Sequence, residues 1–297
     1  MPASESLLSI FITTHGAGHV GKGTLLSWLS GLQLWHVING TPWNGGARLS
    51  RAVKGAASFA PSSSFRAPRL PVTIHHLRIL KQDLDITNTF DAAVWVVACI
   101  AFWSQCQLAE VCVDLAFDPK VHASRSSPLK SGFAANGVEF GGFFAPLTKT
   151  KPCGEWICWT DSGCECSALT AFQNHWHLNQ NLPLSAPLFA FETADDSWAL
   201  LKRSWFMDRC NDAWAASLIP RLTGHSFRIG GTTHLLLLGI DPFIVMVQGH
   251  WKSDAFLSYW KNCEQILPLF IGSALRSPDS IVSSMNLFKQ KLLSNRV

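Results

Sequence analysis

The stretch Gly224–Asn262 reads GHSFRIGGTTHLLLLGIDPFIVMVQGHWKSDAFLSYWKN, and more of the fold follows from it than from any other segment. Its apolar residues recur at helical spacing, which predicts helices over 225–238, 242–249 and 253–260. His225 and Arg228 stand three apart, so on a helix they share one face. His250 opens a second turn-helix unit, and Tyr259 follows it by nine residues on another helix. Breaking a phosphodiester without a metal requires a nucleophile, cations on the non-bridging oxygens, and proton donors and acceptors nearby. An isolated His-x-x-Arg is usually a solvated helix face. The addition of His250 and Tyr259 in register is what makes this one a candidate site.

Outward from this segment the chain is mostly helical in pattern. Periodicity and stop residues predict helices over Thr24–Asn39, Ala47–Phe59, Val72–Leu84 and Phe90–Leu108, the last deeply buried. Between them, Pro61–Pro71 (PSSSFRAPRLP) is rich in Pro, Ser and Arg and reads as an interdomain linker. Val138–Lys149 and Glu155–Thr160 read as two strands joined by a Lys-Pro-Cys-Gly turn. Helices return at 166–177 and 197–217, and a final one is expected at 263–273. The expected class is therefore mainly α (α+β): a small helical domain, a linker, and a larger, mostly helical domain with a small antiparallel sheet.

The pattern His-x-x-Arg, Gly-His, then Tyr nine residues on resembles the tyrosine recombinase (phage integrase) family. It is particularly similar to the Cre-like and fungal transposon-derived branches. The likeness runs from about residue 24 to 273 and is strongest after Gly224. Tyr259 is also the only tyrosine in the chain, so its fall on the required position carries weight. The resemblance implies that Tyr259 attacks the scissile phosphate to form a 3′-phosphotyrosyl link and free a 5′-hydroxyl. It implies that Arg228 clamps the phosphate oxygens with its planar fork, that His225 assists proton transfer, and that His250 hydrogen-bonds the phosphate. Lys149 matches the hairpin lysine that protonates the leaving oxygen, and Lys151 fits the same role. The implied domains are an irregular leader at 1–23, a shortened helical core-binding domain at 24–60, the linker at 61–71, and a catalytic domain at 72–297. Implied partners are double-stranded DNA and further copies of the chain, as a tetramer on DNA, with 263–273 apolar enough to dock on a neighbour. The chemistry calls for no cofactor and no metal. A nuclear location follows if the chain comes from a eukaryotic mobile element.

One position departs from that pattern. The family carries an Arg-x-x-Glu at the end of a buried helix; here the stretch is Gln107-Leu108-Ala109-Glu110, with Glu110 in place and Gln107 where the arginine belongs. Losing a charged clamp on a phosphoryl group costs ~10³–10⁵ in rate, and losing one neutral donor ~10²–10³. The expectation is DNA binding retained with cleavage weakened, or a non-catalytic DNA-binding remnant. Arg78 and Arg125 are distant in sequence and could substitute only by folding close.

Two further motifs compete for attention. Gly16–Thr24 (GAGHVGKGT) fits Gly-x4-Gly-Lys followed by Gly-Thr, and Leu7–Ile12 would supply the preceding strand of a nucleotide-binding phosphate loop. Against that reading, residues 25–108 lack the strand–helix alternation such a fold needs. Cys153, Cys158, Cys164 and Cys166 lack the tight paired spacing of structural zinc sites. The Trp-rich stripes (Trp28, Trp35, Trp95, Trp103) and the histidines His175, His177 and His234 fit core or surface roles.

Composition bounds the rest. At 297 residues and 47% apolar content the chain can bury two cores, and its net charge of +4 permits a nucleic-acid partner without demanding one. The longest apolar run, Ala92–Trp103, has 12 residues, too short to span a bilayer. Glu5 stands where a signal peptide would carry positive charge, and nine cysteines without a scaffold pattern point to reduced thiols in an intracellular protein.

Overall fold

The computed structural model describes residues 2–65, 69–149, 151–251, 266–269 and 271–272. The chain divides into two compact units, Met1–Pro68 and Arg69–Val297, so the boundary falls inside the expected linker.

The first unit holds α1 (Glu5–Gly16), α2 (Lys22–Ile38) and α3 (Ala47–Ser58) around a core of Leu8, Ile12, Leu25, Leu49, Val53 and Ala56. The expected irregular leader is thus corrected: residues 5–16 form a helix. Ser4 caps it by accepting the Leu7 N–H, and Leu8 and Ile12, four apart, bury one stripe. Glu5 also reaches across to the start of α3, where Oε1 accepts the N–H groups of Gly46 and Leu49, each at 3.0 Å. A carboxylate at a helix N-terminus satisfies orphan donors and complements the dipole, so the first residue of α1 caps α3 with its side chain. The same helix removes the strand that a phosphate loop at Gly16–Thr24 would need. Those residues instead turn α1 into α2.

The second unit is built on α5 (Thr89–Trp103), which is buried on every side from Asp91 to Phe102. Asn88 starts it by accepting the N–H groups of Phe90 and Asp91. Around it lie α4 (Ile74–Asp83), α6 (Ala168–Leu178), α7 (Arg203–Ala215) and α8 (Gly224–Leu237), with α9 (Pro242–Gln248) beside α8. Arg209 of α7 clamps Asp91 through Nε and Nη2, each at 3.0 Å, and also holds Asp83, which locks α4, α5 and α7 together. The antiparallel sheet has the order β1-β2-β3: β1 (Leu129–Phe133), β2 (Glu139–Ala145) and β3 (Glu155–Thr160), with Ala145 opposite Glu155. A separate two-stranded ribbon joins β4 (Phe191–Glu192) to β5 (Trp198–Ala199). Residues 266–269 and 271–272 are helical, with Ile266 buried against Leu236 and Val245.

The class is mainly α with a small antiparallel sheet, as expected. Three details differ. β1 was not expected, because its residues are mostly exposed and leave no alternating apolar pattern. The helix expected over 197–217 starts only at Arg203, since Trp198 and Ala199 pair with β4. The helix expected to reach Leu108 stops at Trp103, because Gln105 takes a left-handed φ of 53°. The expected helix 253–260 lies outside the described residues. Among the described residues no helix is long and apolar enough to cross a membrane.

Two glycines decide how closely α8 approaches its neighbours. A Cβ at Gly231 would sit 1.9 Å from the Phe102 carbonyl oxygen at the end of α5, and one at Gly230 would sit 1.8 Å from the Val72 carbonyl oxygen. The chain entering α4 is also tied to α8 by the Val72 N–H, which donates to the Ser226 carbonyl at 2.9 Å. Residues 69–72 therefore run against the first turns of α8.

Candidate functional site

The start of α8 organises the site. Thr223 and Ser226 form a capping box, and Phe227 turns inward against Phe206 and Trp214, with ring centroids at 5.3 and 5.8 Å. Anchoring Phe227 leaves His225 and Arg228 beside a cavity of about 270 Å³. Gln107, Arg69, Arg203 and Thr223 share its wall, which contains no carboxylate. The cavity thus brings together Gln107, His225 and Arg228, which the sequence singled out, and adds Arg69 and Arg203, which it did not.

Arg228 is buried at 7% exposure. Its Nη2 donates to the Gly249 carbonyl at 2.6 Å, and its guanidinium carbon lies 4.1 Å from the ring centroid of Trp251. These contacts tie α8 to the turn that ends α9. Arg203 is paired with Asp114. Arg69 is exposed and makes no ion pair or hydrogen bond among the described residues.

The histidine His225 is half-buried, and burial, then Arg69, then Arg228 hold its pKa below the ordinary histidine value. A neutral ring beside cations can accept a proton, and it gains one more easily once an anion enters.

Glu110 lies just outside the cavity wall. It follows Gln107 in a 3-10 turn over Leu108–Glu110, and its Oε2 accepts the Gln107 N–H at 2.8 Å. Burial lifts its carboxyl above the usual range, while that N–H and Arg228 pull it back and Glu155 pushes it up. The Arg-x-x-Glu position is therefore a capped turn after α5 and not the last turn of α5 itself.

His250 lies within electrostatic reach of Arg228. It adopts a left-handed φ of 58°, an uncommon conformation that the preceding Gly249 turn imposes. Its Nδ1 lies 3.3 Å from Glu155 Oε2, within ion-pair reach but without hydrogen-bond geometry. Glu155 also holds Lys151, with Nζ to Oε1 at 2.6 Å. Burial lowers the His250 pKa, Glu155 opposes that, and Lys151 and Arg228 add to the lowering. Of the two lysines left open by the sequence, Lys151 is tied to the His250 group. Lys149 stands exposed in the loop between β2 and β3, and neither lysine lines the cavity. Tyr259 lies outside the described residues.

Other candidates serve the fold. His175 is fully buried, with Nδ1 3.0 Å from Asn179 Nδ2 and Nε2 3.3 Å from the Leu188 carbonyl, and burial pushes its pKa down to about 4. Lys22 is exposed at the start of α2. Among the described residues no cluster of three or more His, Cys, Asp or Glu side chains could hold a metal.

No known family matches the chain, and no curated protein matches it in sequence.

Proposed function

We propose that the chain is a DNA-binding tyrosine recombinase whose cleavage step is weakened by Gln107. The observation that carries this reading is the acid-free cavity that brings His225, Arg228 and position 107 to one wall, with two more arginines beside them. Phosphate oxygens favour such a wall, since charge-assisted N–H donors are the strong ones and a low local dielectric strengthens them.

In this reading a backbone phosphate of double-stranded DNA enters the cavity and Arg228 clamps its oxygens. The Tyr259 oxygen bonds to phosphorus as the bond to the 5′-oxygen breaks. The phenolic proton passes to His225, and the leaving oxygen takes a proton from the hairpin lysine, Lys149 or Lys151. The reverse attack by a 5′-hydroxyl rejoins the strand, so the exchange of one phosphodiester for another needs no cofactor. Assembly as a tetramer on DNA and a nuclear location belong to the same proposal.

A second reading, DNA binding without chemistry, draws on the neutral side chain at position 107. Covalent capture separates the two: the protein is incubated with a complex pool of duplex DNA, denatured, and assayed for linked strands. Slow adduct formation is expected for the wild type, faster by about 10² or more for Gln107→Arg, and none for Tyr259→Phe. Bound DNA without adducts in the wild type and Gln107→Arg leaves a binding remnant. Failure to bind DNA at all sinks the reading.

A further inference from the structure

The cavity holds three arginines with different commitments. Arg228 is engaged with Gly249 and Trp251, and Arg203 is paired with Asp114. Each has Nη2 committed elsewhere. Arg69 has no such contact among the described residues and projects from backbone that is fixed nearby. That backbone is held by the Val72–Ser226 hydrogen bond and by the close passage of Val72 over Gly230. The backbone three residues on is thereby held while Arg69 itself is exposed, which lowers the ordering cost of a new charged contact.

We infer that Arg69 is the second anion-clamping cation of this cavity, supplying from the segment before α4 the charge that Gln107 does not carry. The inference rests on the reading of the cavity as a phosphate site. Three features support it. Arg69 and Gln107 line the same cavity, so a cation at either position serves the same space. The lining holds no carboxylate, and the Asp114 that pairs with Arg203 stands outside it. Gly224 and His225, the first residues of α8, also line it, so the positive end of a 14-residue helix adds to the field. The influence of Arg69 on the His225 ring is a further sign that the two lie within electrostatic reach.

The arginine at 69 was invisible in sequence because the linker composition that surrounds it reads as a spacer. Only the contact of residues 69–72 with α8 turns it towards the site.

The test titrates inorganic sulfate, a tetrahedral dianion, into the full chain at constant ionic strength. Binding is followed by the NMR signal of the His225 ring, assigned with His225→Gln. Arg69→Ala is expected to weaken sulfate about tenfold, the size of one charge-assisted hydrogen bond. Arg69→Lys should lose less, and Gln107→Arg added to Arg69→Ala should restore most of the affinity. Arg51→Ala, on α3 of the first unit, should change nothing. Arg69→Gln repeats the test should the alanine variant fail to fold. Wild-type affinity in Arg69→Ala, no rescue by Gln107→Arg, or no sulfate binding near His225 would overturn the inference. Sulfate binding that depends on Arg69, with no DNA adduct from any variant, removes the strand-exchange reading and leaves the clamp. Adducts formed in equal, non-zero yield by wild type and Arg69→Ala, with sulfate binding unchanged, remove the clamp and leave the strand-exchange reading.

Discussion

Two stretches of this chain carry the ingredients of a phosphate site at a helix start: Gly16–Thr24 before α2, and Thr223–Arg228 opening α8. As strings of letters, the first is the better motif. In the folded chain it is a turn between two helices with Lys22 exposed, and a Cβ at Gly18 or Gly23 would meet nothing within 4 Å. The close approaches it does make are to its own unit: a Cβ at Gly16 would sit 2.3 Å from Leu25 Cδ2, and one at Gly21 3.2 Å from Ser64 Oγ. The second stretch has walls. Residues 69–72, the turn after α5 and the start of α7 surround it, and glycines at 230 and 231 let two of those segments come within contact of α8. A helix N-terminus becomes a binding site only when other parts of the chain enclose it and supply charge.

The strongest way to break that contrast is to push a wall away. Gly231→Val places side-chain carbons where the Phe102 carbonyl already sits, and we expect a loss of more than about 3 kcal/mol in urea denaturation followed by tryptophan fluorescence. A fold that tolerates valine there would show that the close crossing of α5 and α8 is not needed. A smaller effect separates the two stretches by pH. The His225 ring is held below its ordinary pKa, so near neutrality it is uncharged. A bound dianion favours the protonated ring, so by linkage sulfate binds more tightly as pH falls from the ring's sulfate-bound pKa to its free pKa, by about fivefold to tenfold in all. The slope should vanish in His225→Gln and persist unchanged in Lys22→Ala. If Lys22→Ala removes sulfate binding instead, the glycine-rich turn is the anion site. The smallest effect sharpens the same point from the other side. Gly23→Ala, exposed and helical, should stabilise the first unit by about 0.5 kcal/mol in thermal denaturation, because no ligand or neighbour requires the missing Cβ.

Much of the fold was legible because local chemistry and tertiary packing agree along it. α5 reads as buried from its unbroken apolar run, and α8 and α9 from their spacing and caps. The hairpin of β2 and β3 was legible from its apolar strands and turn. α1 was missed because its Ser, Thr and β-branched residues give a weak propensity signal, which Ser4 capping and contact with α3 override. β1 was missed because an exposed strand has no hydrophobic face to betray it. In the site, the spacing of His225 and Arg228 was readable, since one helix carries both. Arg69, Arg203 and the Glu155 link between Lys151 and His250 come from separate elements, and nothing local in their sequence marks their convergence.

The contact of Arg228 with Gly249 and Trp251 joins the cavity wall to the turn after α9. Any anion that pulls Nη2 off the Gly249 carbonyl loosens the turn after α9, and whatever tightens that turn holds the cation back. Filling the cavity and loosening the Gly249–Trp251 turn are then two faces of one equilibrium, and each must bias the other by the same free energy.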